Sequence, residues 1–348
     1  MTSRESLKST IGVTAIVEIV GRVVALAVTI IGARHLEPAD LGTLGLVVAS
    51  IAIVSMLGGY VEAGSLVATQ PADENVRAGS GGLLRLAVVG IPLLAGLAFQ
   101  DGLLLPLVKD PGRLGLAREL ASVLALLPLI EVPGGIAIVT LQRRLLLRTT
   151  VLRQSLQPLI YSVGGVYMIL QGYGVVGLAW AQIAGSTATN ATLLWQAIRS
   201  GSFHPRVEAS TFRTLGRESL KQATAGFIGF LTERVDNLLV AGALGPATLA
   251  FYSFGWSASR LPVAIVSRVS RAAFLPALTH ARGQPEVART IIRRGLEHGL
   301  ALSFGFATLV ALFGSEVVTL VVGARWERAG ACLEILSFTI AISPLLFI

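Results

Sequence analysis

Run after run of this 348-residue chain stays apolar for about 20 residues, the length a helix needs to cross a hydrocarbon core. Length and turn signals predict about ten such spans. They fall at residues 11–33, 41–63, 83–100, 120–141, 154–171, 175–198, 222–243, 247–268, 296–313 and 328–348. Only 14% of residues are charged, where a soluble domain sits at about a quarter. With a mean hydropathy of +0.73, the chain reads as an integral, polytopic, all-α membrane protein. The opening "MTSRESLKST" is polar. The apolar segment behind it is too long for a signal-peptide core and lacks a small-residue cleavage site, so it reads as a retained first span.

The net charge of +8 has to be asked where it sits before it is asked what it binds. The link 142–153 carries Arg143, Arg144, Arg148 and Arg153 and no acid. In the link 199–221, Arg199, Arg206, Arg213, Arg217 and Lys221 outnumber Glu208 and Glu218. In the link 280–294, Arg282, Arg289, Arg293 and Arg294 outnumber Glu286. The links after the first, fifth and seventh spans are short and carry no positive excess. That alternation is the positive-inside pattern. It places the N-terminus and the basic links in the cytoplasm, with the near-neutral "QPADENVRAGS" as the weak exception. The surplus charge is then topology, and no nucleic-acid partner is expected.

A pattern repeats along the chain. Residues 36–45 read "LEPADLGTLG" and residues 244–253 read "LGPATLAFYS". Leu-x-Pro-Ala-x-Leu recurs, each time where one span ends and the next opens. Pro38 and Pro246 suit the first turn of a helix, where proline lacks only an N–H that would be unpaired anyway. Six spans separate the copies, so the two halves run parallel about an axis along the membrane normal, an arrangement found in transporters. The expected architecture is two pseudo-symmetric helix bundles: a six-helix lobe over residues 1–205 and a partial lobe of about four helices over 206–348. The second bundle reads as incomplete, and the final "AISPLLFI" as a C-terminal truncation.

Three stretches carry a family resemblance. They are "ARHLEPADLGTLGLVVASIAIV", "LQRRLLLRTTVLRQ" and "DNLLVAGALGPATLAFYSFGWSASRLPVAIVSRVSRAAFLPAL". They resemble the first lobe, an inner link and the second-lobe start of polysaccharide-export flippases. These belong to the O-antigen and exopolysaccharide branch of the multidrug/oligosaccharidyl-lipid/polysaccharide exporter superfamily. Members have twelve or more spans, so this chain departs by lacking the last ones. The resemblance implies alternating-access flipping of an undecaprenyl-pyrophosphate-linked oligosaccharide across the bacterial inner (cytoplasmic) membrane for surface polysaccharide, including lipopolysaccharide. The partners implied are the lipid-linked oligosaccharide, membrane lipids, and a polysaccharide polymerase and glycosyltransferases of the same pathway.

Polar residues inside the apolar runs are the candidate site. A charge at mid-bilayer costs roughly 2.5–3.5 kcal/mol on insertion scales, so such residues normally face a bundle interior or a wet cavity. At about 100° per residue, Glu233, Arg234, Asp236 and Asn237 share an arc of roughly 160° on one helix. Val235, Leu238, Leu239 and Gly242 take the other side. Glu18 and Arg22 are spaced i, i+4 with the acid first, which favours an ion pair. Ser253, Ser257 and Arg260 begin a stripe that continues through Ala264, Ser267 and Arg271. Arg260 should lie about 20 Å from the outer end of its helix, and no acid stands within four residues of it. With a lipid-pyrophosphate cargo, Arg22, Arg234 and Arg260 would pair with phosphate oxygens, because guanidinium suits bidentate anion binding. Asn237, Ser253 and Ser257 would hydrogen-bond sugar hydroxyls. Glu18, Glu233 and Asp236 are gate or helix-pairing candidates. The structural alternative is that Glu18–Arg22 and Glu233–Arg234–Asp236 are neutralised pairs that lock helices together.

Other residues point to quieter roles. Glu62 and Glu131 suit capping or helix interfaces better than proton coupling. Trp180, Trp195, Trp256 and Trp326 suit interfacial anchoring or packing better than sugar binding. The single cysteine, Cys332, excludes an internal disulfide or thiolate cluster. No Walker A loop, HExxH, paired CxxC, dinucleotide fingerprint or GxSxG elbow is present, so no cofactor, metal or chemical step is expected. Energy would come from an ion gradient, from consumption of cargo on the far side, or from neither. A drug–cation antiporter of the same fold is the alternative, although it would prefer an acidic lumen. A glycan polymerase or ligase would need a catalytic outer loop. The outer link 101–119 offers Asp101, Lys109, Asp110, Arg113, Arg118 and Glu119 without an obvious acid–base pair.

Overall fold

Among the described residues, helix is found within each expected span, in the first only at 24 and 27–33. The computed structural model describes residues 24, 27–66, 74–99, 108, 110–143, 155–201, 205–280 and 284–346, and among these the regular elements are all helical. Residues 27–35 form α1. It is followed by α2 (Pro38–Leu66), α3 (Glu74–Ala98), α4 (Leu114–Leu124), α5 (Leu126–Arg143), α6 (Leu156–Leu170) and α7 (Gly174–Arg199). Then come α8 (Ala209–Leu244), α9 (Pro246–His280), α10 (Pro285–Val322) and α11 (Glu327–Ile342). Among the described residues, four stretches are long and apolar enough to cross a membrane: Pro38–Glu62, Ala78–Ala98, Pro111–Leu141 and Pro285–Val322.

Local sequence explains the breaks. The fourth span is divided between α4 and α5 at Ala125. Pro128 cannot donate to the carbonyl four residues back, that of Leu124, and its ring crowds that oxygen. Between α8 and α9, Gly245 takes a positive φ of 88° and its N–H closes on the Ala241 carbonyl at 2.9 Å. Pro246 then opens the next helix in the conformation its ring already imposes.

Several helices outrun the apolar spans. α3 starts at residue 74, α8 at 209 and α10 at 285, while α9 continues to 280. The basic links at 199–221 and 280–294 are therefore largely helical rather than loops. Once a helix is nucleated, each added residue gains a hydrogen bond for one fixed pair of dihedrals, so good helix formers carry it beyond the apolar run.

The chain divides into two compact units, Met1–Pro246 and Ala247–Ile348. In the first, α2 is central and packs on α3, α4, α5, α7 and α8. The unit runs past the expected lobe boundary at residue 205 and takes in α8. The segment entering α8 is tied to α3, since the Glu208 N–H donates to Ser80 Oγ at 3.0 Å. Further along α8, Gly226 lies against the Tyr60 ring of α2. Gly42, in the first copy of the repeated motif, lies directly against the backbone of Pro246 in the second. In the second unit α10 packs on α11, and the Ser315 N–H donates to Glu334 Oε1 at 2.8 Å. Phe251 and Phe254 pack on Trp326, which is 2% exposed, with ring centroids 5.6 and 5.3 Å away.

Candidate functional site

The start of α9 and its Gly255 side are committed to packing. Leu249, Ala250 and Phe251 are buried. Gly255 sits so close to the Ala329–Leu333 stretch of α11 that an added Cβ would lie 3.0 Å from the Leu333 nitrogen. Ser253, Ser257 and Arg260 stand roughly 140–200° around the helix from Gly255. Ser257 and Arg260 are exposed there, and Ser253 is half-buried. On the flank of that face, Tyr252 and Trp256 stack with rings 13° from parallel and centroids 6.5 Å apart. The next residue in the i, i+4 series is Arg260, whose Cζ lies 5.7 Å from the Trp256 ring centroid. Among the described residues no carboxylate pairs with Arg260; its guanidinium rests on an aromatic face instead.

The structure also shows a charged cluster that sequence reasoning missed. Arg85 of α3 is turned into the first unit with its side chain 7% exposed. Its Nη1 donates to Glu62 Oε2 of α2 at 2.6 Å, and Nη2 lies 3.8 Å from Glu131 Oε2 of α5. The cluster fixes Glu62 and Glu131 at a three-helix interface. Room for the guanidinium comes from Gly135: a Cβ there would collide with Arg85 Nη1 and come within 2.8 Å of Glu62 Oε2. The Arg85 Nε is buried and without a hydrogen-bond partner among the described residues. An arginine alone in an apolar span, with acids in two neighbouring spans, is the signal that could have found it.

The remaining expected site residues are placed unevenly. Glu18 and Arg22 lie outside the described residues, as do the side chains of Glu233 and Arg234. Asp236 and Asn237 of α8 are half-buried, and the Asn237 Oδ1 is buried without a hydrogen-bond partner among the described residues. On that helix Val235 and Leu239 are exposed, whereas Leu238 and Gly242 are half-buried like the polar pair. The outer link is held by Arg113, which pairs with Glu37 at 2.8 Å, with Asp110 at 3.3 Å, and with Asp40. Asp110 and Arg113 thus tie that link to the start of α2. Trp326 is a packing residue, whereas Trp180 and Trp195 are exposed. Trp256 is half-buried and stacked on Tyr252 in the first third of α9. Among the described residues no group of His, Cys, Asp and Glu is placed to hold a metal ion.

The sequence profile of a family described as "Polysaccharide biosynthesis protein" matches residues 31–331. No curated protein matches the sequence significantly. Among solved structures, "Lipid II flippase MurJ, inward closed conformation" superposes with a TM-score of 0.78 at 11% identity, covering 96% of this chain and 73% of that one. An inward-facing multidrug resistance MATE transporter of the MOP superfamily gives 0.67 at 18% identity, covering 93% and 78%. A MOP superfamily transporter from Pyrococcus furiosus, described as having a binding pocket of reverse polarity, gives 0.66 at 15% identity, covering 97% and 80%. At these identities the likeness is one of fold.

Proposed function

Because the chain belongs to the polysaccharide biosynthesis protein family and folds as a multi-pass helical membrane protein of MOP-superfamily type, we propose that it flips a lipid-linked oligosaccharide across a bacterial inner membrane. The cargo is an oligosaccharide on undecaprenyl pyrophosphate, moved by alternating access toward O-antigen or exopolysaccharide assembly, with no chemical step. The observation that carries this reading is Arg260. It stands 14 residues into α9, about 21 Å along the helix, on the side turned away from α11. A guanidinium at that depth facing hydrocarbon would cost several kcal/mol, so it faces water. There it offers an anion two parallel N–H donors. Ser253 and Ser257 beside it offer hydroxyls to sugars.

The test is complementation of bacterial strains that lack their own oligosaccharide flippase, with the accumulated lipid-linked sugar analysed. Restored surface polysaccharide with the intermediate cleared supports the reading. Absence of rescue across strains of differing glycan overturns it. A cation-coupled multidrug antiporter of the same fold is the second reading. It is favoured by the two carboxylates, Glu62 and Glu131, that share one arginine inside the first unit. Drug efflux driven by a proton or sodium gradient in proteoliposomes would establish it.

A further inference from the structure

A series that hydroxyl and charge counting alone does not explain runs from the half-buried flank of α9 to its open side: Tyr252, Trp256 and Arg260, each four residues from the next and each in ring or cation–π contact with its neighbour. We propose that Tyr252 and Trp256 form a stacking platform for the first pyranose of the cargo, and that Trp256 holds the Arg260 guanidinium ready for the pyrophosphate beside it. The inference deepens the flippase reading and rests on it.

Two physical facts support this. A guanidinium has faces and edges with different uses. Its face is attracted to the negative face of an indole, while its N–H donors point outward in the plane. Arg260 can therefore stack on Trp256 and still present its fork to an anion. A long flexible side chain held this way loses less rotamer freedom when the ligand arrives. The second fact concerns sugars. A pyranose carries several C–H bonds on one face, weakly positive, and these fit the negative face of an aromatic ring. Every pyranose has such a face, so the platform suits a transporter whose sugar is fixed by the pathway upstream. In a lipid-pyrophosphate sugar the first ring is bonded directly to the pyrophosphate. The series reproduces that order, with rings at 252 and 256 and the cation at 260. The packed face of the helix, through Phe251 and Gly255, fixes the height of the ladder.

The experiment uses the full chain purified in detergent and titrated with two probes, farnesyl pyrophosphate and farnesyl-pyrophosphoryl-N-acetylglucosamine. The unaltered protein should bind the sugar-bearing probe about tenfold more tightly than the bare one. Tyr252→Leu should erase that difference and leave the bare probe unchanged. Trp256→Leu should erase it and also weaken the bare probe, because Arg260 loses its rest; Trp256→Phe should restore both. Arg260→Ala should weaken both probes about tenfold or more. If Tyr252→Leu and Trp256→Leu keep unaltered affinities while Arg260→Ala loses them, the platform is wrong and the flippase reading stands. If the unaltered protein binds neither probe, or Arg260→Ala binds both normally, the flippase reading of this face fails and the platform fails with it. Should Trp256→Leu not purify, Tyr252→Leu and Trp256→Phe decide between the same outcomes.

Discussion

Two arginines stand inside apolar spans and are treated in opposite ways. Arg85, in the first unit, is buried with Glu62 at 2.6 Å and Glu131 at 3.8 Å, in space left by Gly135. Arg260, in the second, is exposed and rests on the Trp256 ring. A charge in a membrane protein must be matched by an opposite charge or by water. Arg85 takes the first route and its donors are largely spent on α2 and α5. Arg260 has no carboxylate partner among the described residues, and on the proposed reading it takes the second route. The difference separates an arginine that holds helices together from the one proposed to meet an anionic cargo.

Removing Arg85 should have the largest effect. Arg85→Leu leaves two carboxylates buried without their cation, a change that typically costs about 3–5 kcal/mol. Thermal unfolding in detergent should show a lower midpoint and a poor yield of folded protein. Replacing Glu62 and Glu131 by leucine in the same chain should recover most of the loss, because an apolar cluster of similar volume is often as stable as a buried ion pair. A wild-type midpoint for Arg85→Leu would show that the cluster is not what joins α2, α3 and α5.

Gly135→Ala comes next. The new methyl would occupy the place of Arg85 Nη1, so the guanidinium must shift and the Glu62 bond must lengthen. Overpacking of this kind costs about 1–3 kcal/mol. The substitution sharpens the contrast because it disturbs Arg85 without touching a charge. Pairing it with Arg85→Leu should relieve part of the strain, giving a combined loss smaller than the two separate losses added together.

These two predictions also mark where sequence reading stopped. The helical, membrane-spanning character was legible, because a span must be apolar for a set length and because turns such as Gly245-Pro246 carry their own backbone chemistry. Helix ends were less legible. Hydropathy ends where the bilayer ends, whereas hydrogen bonding in α8 and α10 continues through polar turns. The break at Ala125 was written in Pro128 and went unread. Within the site, the stripe of Ser253, Ser257 and Arg260 followed from helical period alone. The Arg85 cluster did not, since its members lie on three helices and no local pattern brings residues 62, 85 and 131 together. The stack of Trp256 with Tyr252 and Arg260 was not read either, although the three stand at i, i+4 spacing on one helix.

Arg260→Ala should cost folding no more than about 1 kcal/mol, as expected for an exposed residue that rests on a ring and has no carboxylate partner among the described residues. Flipping should nevertheless fall about tenfold or more if the guanidinium meets pyrophosphate. Arg260→Lys should recover only part of it, because a point charge cannot make the bidentate pair. The measurement is complementation of a flippase-deficient strain, with membrane levels of each variant quantified. Stability lost together with flipping would place Arg260 beside Arg85 as a structural residue, and the contrast would collapse.

The smallest effect is expected where the same pair recurs at another depth. Trp195 and Arg199 are also four apart on one helix, with the guanidinium carbon 5.1 Å from the ring centroid. Arg199 is the last residue of α7, so this pair sits at a helix end, where Trp and Arg usually settle at the membrane surface. An exposed cation–π contact is worth about 0.5–1 kcal/mol. Arg199→Ala should cost no more than that in thermal stability and leave flipping unchanged. Residue types and spacing are matched between the two pairs, while position along the helix differs, as does the Tyr252 ring stacked on Trp256 alone. If Arg199→Ala impaired flipping as much as Arg260→Ala, a general need for surface charge would explain both, and depth in the helix would no longer distinguish the arginine assigned to cargo.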